Sequence, residues 1–380
     1  MKIAYIYTAL TTFGGVDRVL TVKANYLAEK MGYDVTIITE SQTGRPPVFP
    51  LSPKVKHIDL ETDFDEEYHY SGLKRYMVYR RLMKQYRERM EKTLTEIRPD
   101  IVCTTCGRDL DFLCKLKDGS KKVGESHITK QFVRNFHLME QRGFPYNIVA
   151  RYWRHKQENA VRQLDGFVVL TKNDAESWAD IRRSTVIPNP LILNVEKCAS
   201  LENHEVISVG RLEEQKGFDL LLPAWAKVVE KHPDWCLTIY GEGSQRGMLQ
   251  TMVEKFGIGK SVRLPGQTDD VATHYLESSI YALSSRFEGF GLVLTEAMSF
   301  GIPCVAFNCP YGPSDIIADG EDGLLVENGN TDALAEGICR LIENKGLRRQ
   351  LGQNAKLNIQ RYAIENVMPQ WDKLFTSLVK

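Results

Sequence analysis

The chain has 380 residues with 43% hydrophobic and 26% charged content and a formal net charge of zero, a balance that excludes disordered and fibrous classes and allows two ordinary domains with full cores. Its charge is uneven: residues 1–183 hold 31 Lys and Arg against 24 Asp and Glu, so the front half suits an anionic partner, and the anionic remainder argues against nucleic acid. No run approaches the roughly 18 apolar residues that span a bilayer, and Met1-Lys2 leads straight into a strand-like run with no signal-peptide pattern, so a cytoplasmic protein, at most peripheral on the inner face of the membrane, is expected.

Ile3 to Tyr7 reads as a strand, the turn at Gly14-Gly15 follows, and Val16 to Met31 carries Val19, Leu20, Val22, Tyr26 and Leu27 at helical spacing. With the Val35–Ile38 strand this makes a βαβ unit, which closes into a parallel sheet by a right-handed crossover. Further strands are expected at Val55–Leu60, Ile101–Cys103, Lys122–Gly124 and Gly166–Leu170, completing a first α/β domain over 1–185. Pro188-Asn189-Pro190 and an aperiodic stretch mark a linker over 186–204. A second series over 205–362 has strands at Val206–Val209, Cys236–Tyr240, Val262–Leu264, Ile280–Leu283, Cys304–Ala306 and Leu324–Val326. Helices are expected over Leu334–Leu341 and Leu347–Ile359, and the segment 363–380 is expected to return to the first domain. The fold class is therefore α/β, with two facing Rossmann-like doubly wound domains. Eight cysteines, several in apolar stretches, read as reduced packing residues, and Cys103-Thr-Thr-Cys106 has neither a second CxxC nor a histidine pair to make a metal site.

Turn signals in the second domain fall at the carboxyl ends of strands, where open α/β sheets place ligands. Gly210-Arg211 and, shortly after, Lys216-Gly217 supply a planar fork and a point charge suited to a diphosphate. Tyr240-Gly241-Glu242-Gly243 is a tight strand-to-helix turn, and Arg263 and Leu264 lie at the end of their strand on the same rim. Glu288-Gly289-Phe290-Gly291-Leu292 opens a helix carrying Glu296, whose N-terminus favours phosphate while the two carboxylates favour the hydroxyls of ribose and sugar. A Pro/Gly-rich loop, Asn308 to Asp315, borders the same region. Each signal alone also fits a solvated loop or an ordinary capped helix.

Together, Val209-Gly210-Arg211, Lys216-Gly217, the segment from Glu288 to Glu296 with seven residues between the glutamates, Gly301-Ile302-Pro303, and Gly320-Glu321-Asp322-Gly323 resemble the retaining glycosyltransferases of family 4, which have the GT-B fold. The resemblance is closest over 206–330 and implies that Arg211 and Lys216 hold the donor diphosphate, Glu288 contacts the donor sugar and Glu296 binds ribose hydroxyls. It further implies a metal-independent reaction with no cofactor, cationic side chains and helix dipoles taking the place of a divalent ion. Gly15, at the first βα turn, and His127, in Gly124-Glu125-Ser126-His127, match weaker positions of the family pattern, the histidine near the reacting sugar. The donor is expected to be a nucleotide diphosphate sugar, UDP by family habit, and the acceptor a saccharide or lipid-linked saccharide of cell-envelope polysaccharide synthesis.

Residues 70–92 hold eight basic and two acidic residues, with Tyr76, Tyr79, Met83, Tyr86 and Met90 on one helical stripe and Arg80, Lys84 and Arg87 on the adjoining face. Such a helix suits an anionic membrane surface or a lipid diphosphate, and equally a packed helix with a solvated basic face. A second basic and aromatic stretch runs from Phe144 to Lys156. Two other readings of the second domain stay open: a nucleotide-sugar 2-epimerase, which would isomerise the donor alone, and a non-catalytic nucleotide-binding module. A phosphorylase would need lysine-bound pyridoxal phosphate, and a dehydrogenase lacks its GxGxxG fingerprint.

Overall fold

Residues 1–133, 136–181, 184–193 and 195–380 are described by a computed structural model, in which the chain forms two compact units. The first comprises 1–170, 174–190 and 367–380, and the second 171–173 and 191–366.

The first unit is built on a seven-stranded sheet: β1 (Lys2–Tyr7), β2 (Asp34–Thr39), β3 (Val55–Asp59), β4 (Ile101–Thr104), β5 (Lys121–Ser126), β6 (Gly166–Val169) and β7 (Ser184–Val186), in the order β3-β2-β1-β4-β5-β6-β7. All neighbouring pairs are parallel. Helices cover both faces, so the inner strands are near-continuous apolar runs and were legible as such. β7 was not expected: three half-exposed residues carry no alternating pattern, and it pairs only at the edge with β6.

On one face, Ala4, Ile6, Ile38 and Val102 pack against Leu82, Tyr86, Met90 and Leu94 of the Gly72–Ile97 helix. This corrects the expected tyrosine stripe. Tyr76 is exposed and Tyr79 and Met83 are only partly buried, while Leu82 and Leu94 complete the buried line. On the opposite face, Lys23 of the Gly15–Glu29 helix is buried against Glu125 of β5, with Nζ 2.5 Å from Oε1 and side-chain exposures of 1% and 2%. The ring of Trp371, from the Ile364–Val379 helix, lies 3.6 Å from the same ammonium. Tyr33 donates to Asp372, a second fixture that fastens this last helix to the first unit.

The second unit repeats the plan with six strands: β8 (Glu205–Val209), β9 (Cys236–Tyr240), β10 (Val262–Gly266), β11 (Ile280–Leu283), β12 (Cys304–Phe307) and β13 (Gly323–Val326), ordered β10-β9-β8-β11-β12-β13 and parallel throughout. The strand order reverses between β8 and β11, which makes their carboxyl ends the crevice where such sheets bind ligands. The stretch expected to be a linker divides at Pro190, because residues beyond it are stitched to the second unit. The Leu191 N–H donates to Tyr362 O (2.7 Å), Ala199 N–H to Phe300 O (2.9 Å), and the buried Arg348 guanidinium to Leu201 O. All eight cysteines are free thiols, and burial raises the Cys103 and Cys304 thiols well above their ordinary pKa.

Candidate active site

The loops leaving β8 and β11 meet at the reversal point of the second sheet. Lys216 closes a short 3-10 turn (Glu214–Lys216) after β8, and its Nζ lies 2.8 Å from Oε1 of Glu288, in the loop after β11. The same carboxylate oxygen accepts from Ser285 Oγ at 2.6 Å, and Glu288 is 5% exposed. A buried carboxylate needs such partners, since an unpaired charge there would be expelled or neutralised. Glu296, in the Leu292–Ser299 helix, accepts from Tyr275 Oη at 3.0 Å. Burial foremost holds the Tyr281 phenol well above its ordinary pKa, with the charges of Glu288 and Glu296 among the further causes.

The loops are held together by groups that no local motif revealed. Arg286 makes a bidentate pair with Asp219 at 2.8 and 2.7 Å and donates to Glu214 O at 2.9 Å. Its backbone N–H donates to Gln215 O, whose side chain in turn donates to Phe287 O. Ser284 Oγ donates to Lys216 O at 3.0 Å. The position of Lys216 is thus set from the β11 loop as much as from its own.

Glycine allows the closest approaches. Gly241, at φ +149°, lies so near Gly210 that a Cβ would stand 1.8 Å from its carbonyl oxygen, and at Gly217, φ +62°, it would stand 2.1 Å from Ser284 O. Gly241→Ala is therefore expected to cost at least about 2 kcal/mol through strain and displacement of the β8 loop, read as a lower melting temperature and weaker nucleotide binding. Gly291 is the N-cap of the Leu292–Ser299 helix at φ 100° with no side-chain cap, so the N–H groups that open the first turn face a ligand, while that of Leu294 donates to Gly291 O at 2.9 Å. Gly289 precedes it in the same loop, and the Phe290 ring turns inward, edge-on to Tyr362 at 5.4 Å, which leaves only its backbone for the site.

The remaining residues expected at the donor site are placed variously. Arg211 is exposed beside the loop, with Nη2 3.5 Å from Gln215 Oε1. Leu264 packs on the core, and its carbonyl accepts from Arg246. Arg263 is not brought to the cluster. Its guanidinium is engaged by Glu205 (3.3 Å) and Cys236, the first residues of β8 and β9, because the side chain runs toward the amino ends of the strands. There it lines a groove of about 440 Å³ with His204, Glu205, His274 and Glu277 that contains none of Lys216, Glu288 or Glu296. Among the described residues, the group with metal-ligand spacing is His232, Cys339 and Glu343, with ligand atoms within 4.8 Å of one another. It stands where the Phe218–Lys231 and Thr331–Glu343 helices end, at the edge of the sheet opposite the Lys216–Glu288 pair.

In the first unit, His127 follows β5 with its Nε2 3.3 Å from Glu125 Oε1, so the Lys23 pair also orients this imidazole. Burial would raise Glu125, but Lys23 and then His127 overcome it and hold the carboxyl at about 2. Gly15 opens its helix, and the turn before it is fixed by Asp17, which accepts from Tyr7 Oη, Thr12 N–H and Thr12 Oγ1. Arg80, Lys84 and Arg87 are exposed on the Gly72–Ile97 helix.

The chain is 32% identical over 377 residues to an uncharacterized glycosyltransferase of Haemophilus influenzae, covering 97% of this chain and 98% of the relative. The profile of Glycosyl transferases group 1 matches residues 196–358. The chain belongs to the group 1 glycosyltransferases. Also similar in sequence is the poly(ribitol-phosphate) alpha-N-acetylglucosaminyltransferase of Staphylococcus aureus, 32% identical over 226 residues that make up 58% of this chain and 45% of that protein. In fold, the chain matches a mutant of TarM from S. aureus, crystallised with Fondaparinux, alpha-GlcNAc-glycerol and UDP, at a TM-score of 0.79 and 18% identity over 98% of this chain and 99% of that one. The two parallel-sheet, Rossmann-like units are thus those of a GT-B glycosyltransferase. The paired loops that carry Lys216, Glu288 and Glu296 all fall within the matched family segment.

Proposed function

We propose that this glycosyltransferase moves a hexose or N-acetylhexosamine from a nucleotide diphosphate sugar, UDP being the expected carrier, to a glycan or lipid-linked saccharide of the cell envelope, with retention and without a metal ion. The observation that carries the reading is the Lys216–Glu288 pair at the reversal point of the second sheet: a cation, a buried carboxylate and an uncapped helix start, converging from two loops. The cation and the helix N–H groups suit the leaving diphosphate, and the two carboxylates suit hydroxyls on sugar and ribose. Lys216 and Arg211 supply the positive charge that a divalent ion would otherwise bring to the leaving group. A relative named for transfer to poly(ribitol-phosphate) and a fold neighbour crystallised with UDP agree with this donor and with an envelope acceptor.

The test is a melting-temperature screen with UDP, GDP and ADP and their sugars, followed by transfer to saccharide acceptors in EDTA and nuclear magnetic resonance of the product anomer. A shift with UDP-sugars and an α-linked product from an α-linked donor, unchanged by EDTA, is expected. An epimerised sugar formed from donor alone, an inverted linkage, or loss of activity in EDTA would overturn the corresponding part.

A further inference from the structure

The first unit holds two groups of large apolar side chains in solvent. In the Gly72–Ile97 helix the buried residues begin only at Leu82, whereas Leu73 (74% exposed), Tyr76 and Met77 (63%) stand out from its first turns. In and before the Tyr146–Arg162 helix, Phe144 (80%), Tyr146, Ile148 and Tyr152 (63%) do the same, although Ala150, Gln157 and Val161 of that helix are buried.

These groups share one rim. Strand register places Ala4 beside Val102, Val102 beside Lys122 and Gly124 beside Phe167, so Val102 and Phe167 lie on the same face of the sheet. Val102 is in the core of the first helix and Phe167 in that of the second, so both helices cover that face. Each joins two parallel strands, runs against them, and therefore starts at the edge where the strands end. A common segment separates them: Phe112 packs on Tyr86 at 5.4 Å, and Asp111 pairs with Lys156 at 2.8 Å.

Both stretches that carry these groups are basic. Residues 72–87 contain six Lys and Arg and residues 142–156 contain four, with no acidic residue in either stretch. Arg75, Arg81, Lys84, Arg154 and Lys156 pair with Glu67, Glu66, Glu88, Glu140 and Asp111, whereas Arg80, Arg87, Arg142 and Arg151 take no ion pair among the described residues. A second copy of this chain would set like charges against each other, and a soluble polyanion would leave the apolar side chains in water. An anionic bilayer satisfies both, taking aromatic and aliphatic groups into its headgroup layer while arginines meet lipid phosphate.

We infer that this rim of the first unit is a docking surface for an anionic lipid bilayer, seated by Leu73, Tyr76 and Met77 on one side and by Phe144, Tyr146, Ile148 and Tyr152 on the other. The inference stands independently of the sugar transferred. It is tested by flotation of the whole protein with vesicles of phosphatidylglycerol and phosphatidylcholine, and of phosphatidylcholine alone, without saccharide acceptor. The protein is expected to float with the anionic vesicles only, and less in 0.5 M salt. Leu73→Ser/Met77→Ser and Phe144→Ser/Tyr152→Ser are each expected to lower the partition at least about tenfold, the loss of roughly 1.4 kcal/mol of apolar insertion. Their melting temperatures are expected to stay at the parent value, because these side chains are exposed. No flotation with anionic vesicles, equal flotation with neutral ones, or flotation that neither double variant weakens would overturn the inference. So would a dimer of the parent protein that the same variants dissolve.

Discussion

A Glu288→Gln variant is expected to lose transfer by about two to three orders of magnitude in kcat, the range seen when one preorganised electrostatic group is removed from a reacting centre. Glutamine keeps the shape and one acceptor for Ser285 but removes the charge that Lys216 faces at 2.8 Å. The ammonium then answers to the diphosphate alone, so UDP is expected to bind as tightly as before or more so. Lys216→Met in the same background is expected to weaken UDP binding at least about tenfold, the worth of one charge-assisted contact. Calorimetric titration with UDP, alongside initial rates, separates the two effects. Unchanged turnover in Glu288→Gln would remove this carboxylate from the reaction and with it the site assignment.

The second large effect lies in the first unit. Lys23→Met leaves Glu125 buried without its cation, and removing one partner of a buried pair costs about 3–5 kcal/mol. Adding Glu125→Gln removes the stranded charge and is expected to restore more than half of that loss, which urea denaturation of the three proteins would show. Because the folded Glu125 is held at about 2, below its ordinary 4.5, its contribution is complete above about pH 4.5 and fades as the pH falls toward 2. That acid-limb loss is expected to shrink in the double variant. Glu125→Gln alone also loosens His127, so a fall in kcat larger than its change in stability explains would place the imidazole in the reaction. Parallel loss of both would make the pair purely structural.

Apart from β7, the strands of both sheets were legible, most clearly where parallel strands covered on two faces are apolar along their whole length, as in Ile3 to Tyr7 and Ile280 to Leu283. The loops that carry Lys216 and Glu288 stood out because glycines and charges fall at short range after those strands. Long-range pairing left no local trace. Lys216 and Glu288 are 72 residues apart, Asp219 and Arg286 67, and Lys23 and Glu125 102, and topology alone brings them together. The tyrosine stripe misled because helical periodicity does not tell where a helix outruns its sheet. Tyr76 shares the spacing of Tyr86 but lies beyond the core. Arg263 misled because an edge strand offers its side chains to either end of the sheet.

The last helix has a bearing on how the chain is made. Lys23 is synthesised long before the indole that covers it, which belongs to Trp371, and Asp372 secures Tyr33 from the same helix. Residues 191–366, the body of the second unit, are synthesised in between. The first unit therefore cannot make its last contacts until all of residues 191–366 have been synthesised, although most of its own chain comes before them.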